Sequence, residues 1–426
     1  MRFFWKLFYN LIFIPLLFIA YHIYALFNEK AGIGLRSRKA IFDKMKPVPN
    51  TNDKPYLIWF HCSSVGEFEQ ARPIVEAIKD RARVVISFFS PSGYNLASKY
   101  PYADLLCYLP FDTIRNARRM FRLICPSMLV FIRFDIWPNY VWTASRLGVP
   151  VMLVDAALHE ESSRLYPIVR NFLKSVHRYI SVHCAISEAD AQRLRRICLK
   201  NSVIRVVGDT RFDQVIARKK SAVRKLGGLL PKFDSPVIIA GSTYAEDEEV
   251  VLEAYKKVLS DWGKAQLILV PHEPEVQRLE EIESLMSYKG LPHIRLANIE
   301  KYNGEAIIVD RVGVLAELYM LGDITFIGGS FHGSVHNVME PAIMGKPVIF
   351  GPDIQNSLEA HMLIERGAGI TINDSEELAK ELVRLLSDNE LRARIGESAR
   401  AMVEENAGAT DKIVDCIDEF LHSIKD

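Results

Sequence analysis

Short apolar runs alternate with longer amphipathic stretches along most of the chain. Continuous apolar runs are typical of parallel strands that helices cover on both faces, and the amphipathic stretches predict those helices. Two successive sets of runs therefore predict an α/β protein with two Rossmann-like, doubly wound domains. The runs are Tyr56–His61, Arg83–Phe89, Ser127–Ile132, Pro150–Ala156, Tyr179–Ser187 and Val203–Gly208 in the first set, and Pro236–Gly241, Gln266–Pro271, Glu305–Asp310, Asp323–Gly329 and Pro347–Gly351 in the second.

The boundary between the two sets is predicted in the segment Gln214–Pro236, which is basic and contains glycine and proline. Such a segment breaks the apolar pattern and is typical of a linker. Ligands of doubly wound sheets bind beyond the carboxyl ends of the strands, so we expect a site between the two domains. The predicted organisation is an anchor at 1–30, an N-terminal domain at 31–215, a linker at 216–235, a C-terminal domain at 236–405, and a C-terminal helix at 406–426 with the option of packing back on the N-terminal domain.

The N-terminal segment Leu7–Phe27 contains no Asp, Glu, Lys or Arg. A helix of about 21 residues reaches roughly 30 Å, the thickness of a bilayer core. Basic residues on its C-terminal side favour a cytoplasmic location for the rest of the chain. The segment predicts a membrane-anchor helix, with a span favoured over a helix lying in the interface and over a cleaved signal peptide.

Composition narrows the functional classes. The 426 residues include 53 Lys and Arg against 52 Asp and Glu, and the net charge is +1. The net charge argues against a nucleic-acid partner, and a composition of 49% hydrophobic and 25% charged residues excludes wholesale disorder. The six cysteines form no CxxC pair, and neither zinc-ligand spacing nor an HExxH motif is present, so no metal site is predicted. Buried free thiols in a reducing compartment are the expected state of these cysteines.

The residues that follow the first predicted strand carry candidate chemistry. Ser64 and Glu67 have the spacing of a capping box at the start of an amphipathic helix. Glu67 is alternatively a general base, which the helix N-terminus is expected to keep ionised. The same spacing recurs at the starts of helices in the second half, which predicts an anion site at one sheet edge. The recurring pairs are Thr243 and Glu246, Asn337 and Glu340, and Asn356 and Glu359.

Glycines and histidines near the fourth strand of the second set suggest a nucleotide site. Gly328, Gly329 and Gly333 are expected to let a ligand approach the backbone. The chain has neither GxxxxGK[ST] nor GxGxxG, so a single nucleotide is favoured over ATP at a P-loop or over NAD. His332 and His336 could contact phosphate or a base, although exposed loop histidines often contact nothing.

Four arginines share one face of a predicted helix. Their spacing of i, i+3, i+4 and i+7 places the guanidinium groups together. A solvated face is the ordinary interpretation of such a pattern. In an anchored protein, the alternative is contact with anionic lipid headgroups or with a phosphorylated lipid substrate. The residues are Arg115, Arg118, Arg119 and Arg122.

An ordered set of motifs carries a family resemblance across nearly the whole chain. The sequence resembles the 3-deoxy-D-manno-octulosonic acid (Kdo) transferases of lipid A biosynthesis. The resemblance implies two Rossmann-like domains of the glycosyltransferase B-type, with the lipid acceptor in the N-terminal domain and CMP-Kdo in the C-terminal domain. The motifs are Ser63–Glu67, Leu109–Asp112, Asp135–Asn139, Ser242–Thr243, Gly328–Ser330, His336–Ala342 and Gly351–Asn356.

The resemblance also implies roles for individual residues. Glu67 is then the base that deprotonates an acceptor hydroxyl, which attacks the anomeric carbon of Kdo and releases CMP. Glu340 would hold the ribose diol, and no cofactor or metal is required. The implied partners are CMP-Kdo, the lipid A precursor and anionic lipid headgroups at the bacterial inner membrane, with the catalytic domains on the cytoplasmic side. The implied CMP-Kdo contacts are Ser242, Thr243, Pro271, His272, Gly313, Val314, Leu315, His336, Asn337, Val338, Met339, Glu340 and Asn356.

Some positions depart from the family pattern. Arg133 and Asp135 each replace a glutamate, and His272 replaces an arginine, which weakens a phosphate contact unless the imidazole is protonated. Tyr244 replaces a histidine, and Ala157 replaces an arginine. Two alternatives therefore stay open: another B-type glycosyltransferase or sugar-nucleotide epimerase, and a catalytically inactive anchored scaffold.

Overall fold

The computed structural model describes residues 2–39, 41–45, 47–49, 53–225, 230–304 and 306–423. The chain divides into two compact units, each of which is described by itself. Unit 1 comprises Met1–Gln214 and Ala407–Asp426, and unit 2 comprises Val215–Asn406. Each unit contains one seven-stranded parallel sheet, so the predicted α/β class with two doubly wound domains is confirmed.

The sheet of unit 1 has the strand order β3-β2-β1-β4-β5-β6-β7, with every pairing parallel. Successive residues of β1 face opposite hydrophobic layers. Trp59 packs in one layer, and Phe60 packs in the other. The strands are β1 Tyr56–Cys62, β2 Ala82–Phe88, β3 Leu105–Tyr108, β4 Met128–Ile132, β5 Val151–Ala156, β6 Val182–Ala185 and β7 Val203–Val206.

Helices cover both faces of this sheet. The last helix of the chain, α19, packs on α5 and buries Ile413 and Ile417 in the layer that contains Phe60. The α-helices that begin in unit 1 are α1 Arg2–Phe8, α2 Ile14–Phe27, α3 Glu29–Arg38, α4 Ile41–Lys44, α5 Val65–Ile78, α6 Pro91–Ala97, α7 Ile114–Ile124, α8 Pro138–Arg146, α9 Pro167–His177, α10 Glu188–Ile197, α11 Thr210–Lys225 and α19 Ala409–Ser423; a π-helical turn covers Tyr9–Phe13 and a 3₁₀ turn covers Ser163–Leu165.

The sheet of unit 2 has the order β10-β11-β9-β8-β12-β13-β14, also parallel throughout. The strands are β8 Val237–Thr243, β9 Gln266–Pro271, β10 His293–Arg295, β11 Ala306–Ile308, β12 Ile324–Ile327, β13 Val348–Phe350 and β14 Gly369–Thr371. The helices are α12 Ala245–Asp261, α13 Val276–Tyr288, α14 Leu315–Leu321, α15 Met339–Ile343, α16 Leu358–Glu365, α17 Ser375–Ser387 and α18 Asn389–Glu405, with a 3₁₀ segment at Leu296–Lys301.

The predicted linker at 216–235 is helical over its first part. Helix α11 runs from Thr210 to Lys225, because no glycine or proline interrupts this basic stretch before Gly227. Residues 226–229 of the predicted linker lie outside the described residues. The basic composition of the segment therefore belongs to a helix rather than to an irregular connection.

One helix among the described residues, Phe3–Phe27, is long and apolar enough to cross a membrane by length and composition. It nevertheless packs side-on against unit 1. The Tyr9 hydroxyl donates a 2.7 Å hydrogen bond to Asp112, and the Asn10 amide pairs with the Asn139 amide. Many apolar side chains of this helix are nevertheless exposed, among them Phe4, Leu7, Leu11, Leu16, Ile23 and Leu26.

Candidate functional site

Glu67 lies in the first turn of α5, just beyond the carboxyl end of β1. Ser64 is the N-cap residue, and its hydroxyl accepts a 3.3 Å hydrogen bond from the Glu67 N–H. The Glu67 carboxylate in turn accepts from the Ser63 N–H, one residue before the cap. The predicted cap is confirmed, and the side chain of Glu67 is only 8% exposed.

The pKa of Glu67 is raised to about 7. Burial is the largest cause, and the nearby carboxylate of Asp135 adds to it. The N–H groups of Ser63 and Ser64 and the guanidinium of Arg133 oppose the rise. The expectation that the helix N-terminus keeps this group fully ionised is therefore wrong, because desolvation outweighs the favourable N–H groups. A carboxyl group that titrates near neutral pH suits general-base chemistry.

A chain of hydrogen bonds positions the Ser63 turn, and sequence reasoning missed its central member, His61. The imidazole is buried, and burial lowers the pKa of His61 to about 3, so the ring is neutral. Its Nδ1 donates toward the Ser87 carbonyl, at 3.1 Å, which leaves Nε2 to accept from the Ser63 hydroxyl at 3.1 Å. The serine that binds Glu67 is thus held from the core of the sheet.

Two of the resemblance motifs, Leu109–Asp112 and Asp135–Asn139, meet through a buried carboxyl group. Asp112 accepts a 3.1 Å hydrogen bond from the Asn139 N–H, and its carbonyl accepts a 2.6 Å bond from the Asn139 amide. The Tyr9 hydroxyl binds the same carboxyl group. Burial raises the pKa of Asp112 to about 7, although the hydrogen bonds from these donors act to lower it. This pair joins the N-terminal helix to the turns that follow β3 and β4.

A cavity of about 630 Å³ lies beyond the carboxyl ends of β4 and β5 in unit 1. Phe134 and the segment 157–164 line it. The Arg164 guanidinium lies 4.5 Å from the centre of the Phe134 ring. Arg133 precedes this ring with a φ of 63°, a left-handed conformation that is uncommon for a residue with a side chain and recurs at functional sites. The cavity combines an apolar wall with one cation, Arg164, and two acidic residues, Glu160 and Glu161.

In unit 2, the ends of β8 and β12 lie so close together that no side chain fits at Gly328. A Cβ atom there would lie 2.4 Å from the Ser242 carbonyl oxygen and 2.6 Å from the Thr243 Cα. A Cβ at Gly329 would lie 2.2 Å from the Ser334 carbonyl oxygen. Close packing of the protein's own backbone therefore accounts for both glycines, and the approach of a ligand to this turn stays a prediction. Gly333, by contrast, has open space around it.

A buried carboxylate, Asp247, ties this turn to the start of α12. It accepts hydrogen bonds from the N–H groups of Tyr244 at 2.9 Å, Gly329 at 2.7 Å and Phe331 at 3.3 Å. The N-cap residue of α12 is therefore Tyr244 with Asp247 at N3, instead of the predicted Thr243 and Glu246. The carboxylate selects this register because three backbone donors converge on it.

The other two predicted caps are also displaced. Ser357 caps α16, while the Asn356 amide accepts from the Val335 N–H at 3.1 Å and donates to the Val335 carbonyl at 2.8 Å. Asn337 lies two residues before α15, whose N-cap residue is Val338, and accepts a 3.0 Å bond from the Met339 N–H. Since Asn356 and Asn337 bind neighbouring backbone, they shape the loops rather than cap helices.

Four rings gather at the carboxyl edge of the unit 2 sheet. We call Tyr244, His272, His332 and His336 the ring cluster. The ring centres of His272 and His336 lie 4.3 Å apart, and those of Tyr244 and His332 lie 4.4 Å apart. Burial, together with the two neighbouring histidines, lowers the pKa of His336 to about 4. Its buried Nε2 has no hydrogen-bond partner within the described residues.

Of the remaining residues that were predicted to contact CMP-Kdo, some already bind other groups of the protein and others are exposed. The Thr243 hydroxyl donates a 3.0 Å hydrogen bond to the buried Glu248, which also pairs with Arg278. Glu340 pairs with Arg218 through one carboxylate oxygen. Ser242 adopts a φ of 56°, Pro271 ends β9, and Leu315 packs against Gly241. Gly313, with a φ of 85°, and Val314 precede α14 and are at least partly exposed.

Comparisons with known proteins agree with this arrangement. Residues 34–214 match the family model described as 3-deoxy-D-manno-octulosonic-acid transferase (kdotransferase). The 3-deoxy-D-manno-octulosonic acid transferase of Haemophilus influenzae is 28% identical over 380 residues, covering 86% of this chain and 88% of the relative. That of Aquifex aeolicus is 28% identical over 333 residues, covering 78% and 86%.

Among solved structures, a UDP-GlcNAc 2-epimerase from Neisseria meningitidis aligns with a TM-score of 0.59 and 13% identity, covering 85% of this chain and all of the other. At that identity, the likeness concerns the fold of two Rossmann-like domains. The transferase relatives extend over most of both chains and share one family name. Residues 34–214 thus form a domain of the 3-deoxy-D-manno-octulosonic-acid (Kdo) transferase family, and over most of its length the chain is similar to curated Kdo transferases.

Proposed function

We propose that this protein transfers Kdo from CMP-Kdo to a hydroxyl group of a lipid A precursor in lipopolysaccharide biosynthesis, with Glu67 as the general base. The observation that carries the proposal is the buried Glu67 carboxyl group at the carboxyl end of β1. Its pKa of about 7 leaves roughly half of it ionised at neutral pH, and it stands within a family motif.

The proposed chemistry uses the two oxygens of Glu67 differently. The Ser63 N–H holds Oε2, which leaves Oε1 for the acceptor hydroxyl. The carboxylate takes the hydroxyl proton as the acceptor oxygen bonds to the anomeric carbon of Kdo. The bond from that carbon to the phosphate oxygen breaks, and CMP leaves with the electron pair. General-base assistance of this kind contributes about 10²–10⁴-fold.

We assign donor binding to the carboxyl edge of the unit 2 sheet. The Nε2 atom of His336 offers a hydrogen-bonding group, and the neighbouring His272 ring stands where the family carries an arginine. Arg218 donates to one carboxylate oxygen of Glu340. The other oxygen of Glu340 would bind the ribose diol. CMP carries one phosphate, so the proposal requires neither a metal ion nor another cofactor.

We assign the acceptor to unit 1. The cavity beside Phe134 has an apolar wall that suits a lipid, and among its lining residues, which include Glu160 and Glu161, Arg164 is the cation that would bind an anionic group of that lipid. Arg133 supplies a second cation near Glu67. A second, separate cavity of about 260 Å³ beside the N-terminal helix is lined by Lys6 and Arg146 and would take a lipid phosphate.

We further propose that the protein lies at the bacterial inner membrane, with its N-terminal helix in the interface on the cytoplasmic side. Trp5 packs on Phe172, and Tyr21 packs on Phe111, so contacts with unit 1 extend along the helix. An independent span would have to break those contacts. The exposed apolar face of the helix would enter the lipid layer, while the exposed arginines of α7 face anionic headgroups.

The test is CMP release when the full chain is given CMP-Kdo and a tetraacylated lipid A precursor. Glu67→Gln keeps an acceptor for the Ser63 N–H and should lose activity by at least about 100-fold. Glu76→Gln, farther along the same helix, should retain it. Full activity in Glu67→Gln would exclude this residue as the base. Stronger thermal protection by UDP than by CMP would instead favour another B-type glycosyltransferase or an epimerase, and protection by neither would favour an inactive scaffold.

A further inference from the structure

Three side chains with metal-binding atoms meet inside unit 1, although their sequence spacing matches no zinc motif. His177 ends α9, His183 lies in β6, and Cys198 follows α10. All three are buried, with exposures of 3%, 0% and 4%. His177 Nδ1 lies 3.0 Å from His183 Nε2, and Cys198 Sγ lies 3.4 Å from His183 Nε2 and 3.9 Å from His177 Nδ1.

Hydrogen bonds within this cluster cannot satisfy all three of its polar atoms. His183 Nδ1 lies 3.4 Å from the Val203 carbonyl oxygen, which can only accept, so the ring carries its proton on Nδ1. Nε2 then has a single lone pair. If His177 carries its proton on Nδ1, that N–H and the Cys198 thiol compete for this lone pair; if the proton is on Nε2, two nitrogen lone pairs face each other across 3.0 Å. A metal ion would instead use one lone pair from each of the three atoms.

We propose that His177, His183 and Cys198 form a structural Zn²⁺ site. An ion placed about 2.05 Å from both nitrogens and about 2.3 Å from the sulfur lies roughly 0.7 Å outside the plane of the three atoms. The resulting angles at the metal are roughly 94°, 103° and 127°, close to a tetrahedron with a fourth position for water. These values follow from the three interatomic distances given above.

The proton balance and the surroundings fit this assignment. On binding, the thiol proton of Cys198 is released to solvent, and neutral His177 carries its proton on Nε2 so that Nδ1 can bind the ion. The Val203 carbonyl fixes the His183 tautomer, as second-shell acceptors do at zinc sites. The ion would link the end of α9, the end of α10 and strand β6, so its role is to stabilise unit 1. The sequence argument against a metal site thus overlooked ligands that only the fold brings together.

Elemental analysis of the purified full chain tests the proposal. We expect about one equivalent of zinc per chain in the wild type and in Cys125→Ser, which changes an exposed cysteine, and almost none in Cys198→Ser. Removing zinc should lower the melting temperature of the wild type, while the same chelator should not change that of Cys198→Ser.

Cobalt substitution decides the question even if Cys198→Ser folds poorly. After chelation and addition of Co²⁺, the wild type and Cys125→Ser should show a thiolate-to-cobalt charge-transfer band. Less than about a tenth of an equivalent of zinc, together with no such band in the wild type, would overturn the site. Stoichiometric copper in place of zinc would overturn the assigned ion.

Discussion

Glu67→Gln is expected to abolish transfer and, at the same time, to stabilise the folded protein at alkaline pH. Burial, followed by the Asp135 carboxylate, raises the pKa of Glu67 to about 7 from 4.5. The folded state therefore binds this proton more tightly than the unfolded state, and the free energy of unfolding falls as the pH rises from 4.5 through 7. At about 1.4 kcal/mol per pH unit, the full effect is at most about 3 kcal/mol. Glutamine carries no charge at any of these pH values, so the variant lacks this penalty.

Urea unfolding of the wild type and Glu67→Gln at a series of pH values between about 5 and 8 measures this effect. The difference in the free energy of unfolding should widen in favour of the variant as the pH rises, by up to about 3 kcal/mol, and level off above the folded-state pKa. Glu76→Gln, at a partly exposed position of α5, should show no comparable trend. A difference between wild type and Glu67→Gln that stays constant with pH would refute the reasoning that burial raises this pKa.

Three further predictions concern the general base Glu67, the turn at Gly328 and the exposed arginines of α7. Asp135→Asn removes a carboxylate that raises the pKa of Glu67, so the acid limb of kcat/KM should move to lower pH; an unchanged or higher midpoint would contradict this. Gly328→Ala places a methyl group against backbone and should lower the free energy of unfolding in urea by about 2–3 kcal/mol. It should also weaken the thermal protection by CMP. A variant as stable as the wild type would argue against the close approach. The double substitution Arg118→Glu and Arg122→Glu should reduce the fraction of protein that sediments with vesicles containing anionic lipid, and it should leave binding to neutral vesicles unchanged. Equal binding to both vesicle types by the wild type and the variant would count against a headgroup contact.

The predicted strands show why the fold could be predicted from the sequence. Each of the eleven apolar runs overlaps a strand, because a parallel strand covered on both faces must be apolar along its length. The three strands that were missed, β3, β10 and β14, lie at sheet edges and have only three or four residues. A short edge strand buries too little surface to leave a distinct apolar run.

The candidate site was predictable only where local sequence determines it. Ser64 caps its helix as predicted, since the hydrogen bond stays within one turn. Tyr244 replaces the predicted cap because Asp247 is drawn to the N–H groups of Gly329 and Phe331, which lie more than 80 residues away in sequence. The burial that raises the pKa of Glu67, and the meeting of His61 with Ser63, likewise depend on tertiary packing. Spacing rules contain no information about such contacts.

The mass of the lipid product tests the central claim most directly. The full chain is incubated with CMP-Kdo and a tetraacylated lipid A precursor, beside Glu67→Gln, and the extracted lipid is weighed by mass spectrometry. We predict a lipid that is heavier by one or more Kdo units with the wild type and an unchanged precursor with the variant. An unchanged precursor with a folded wild type that binds CMP would contradict the assignment of Kdo transfer to this acceptor.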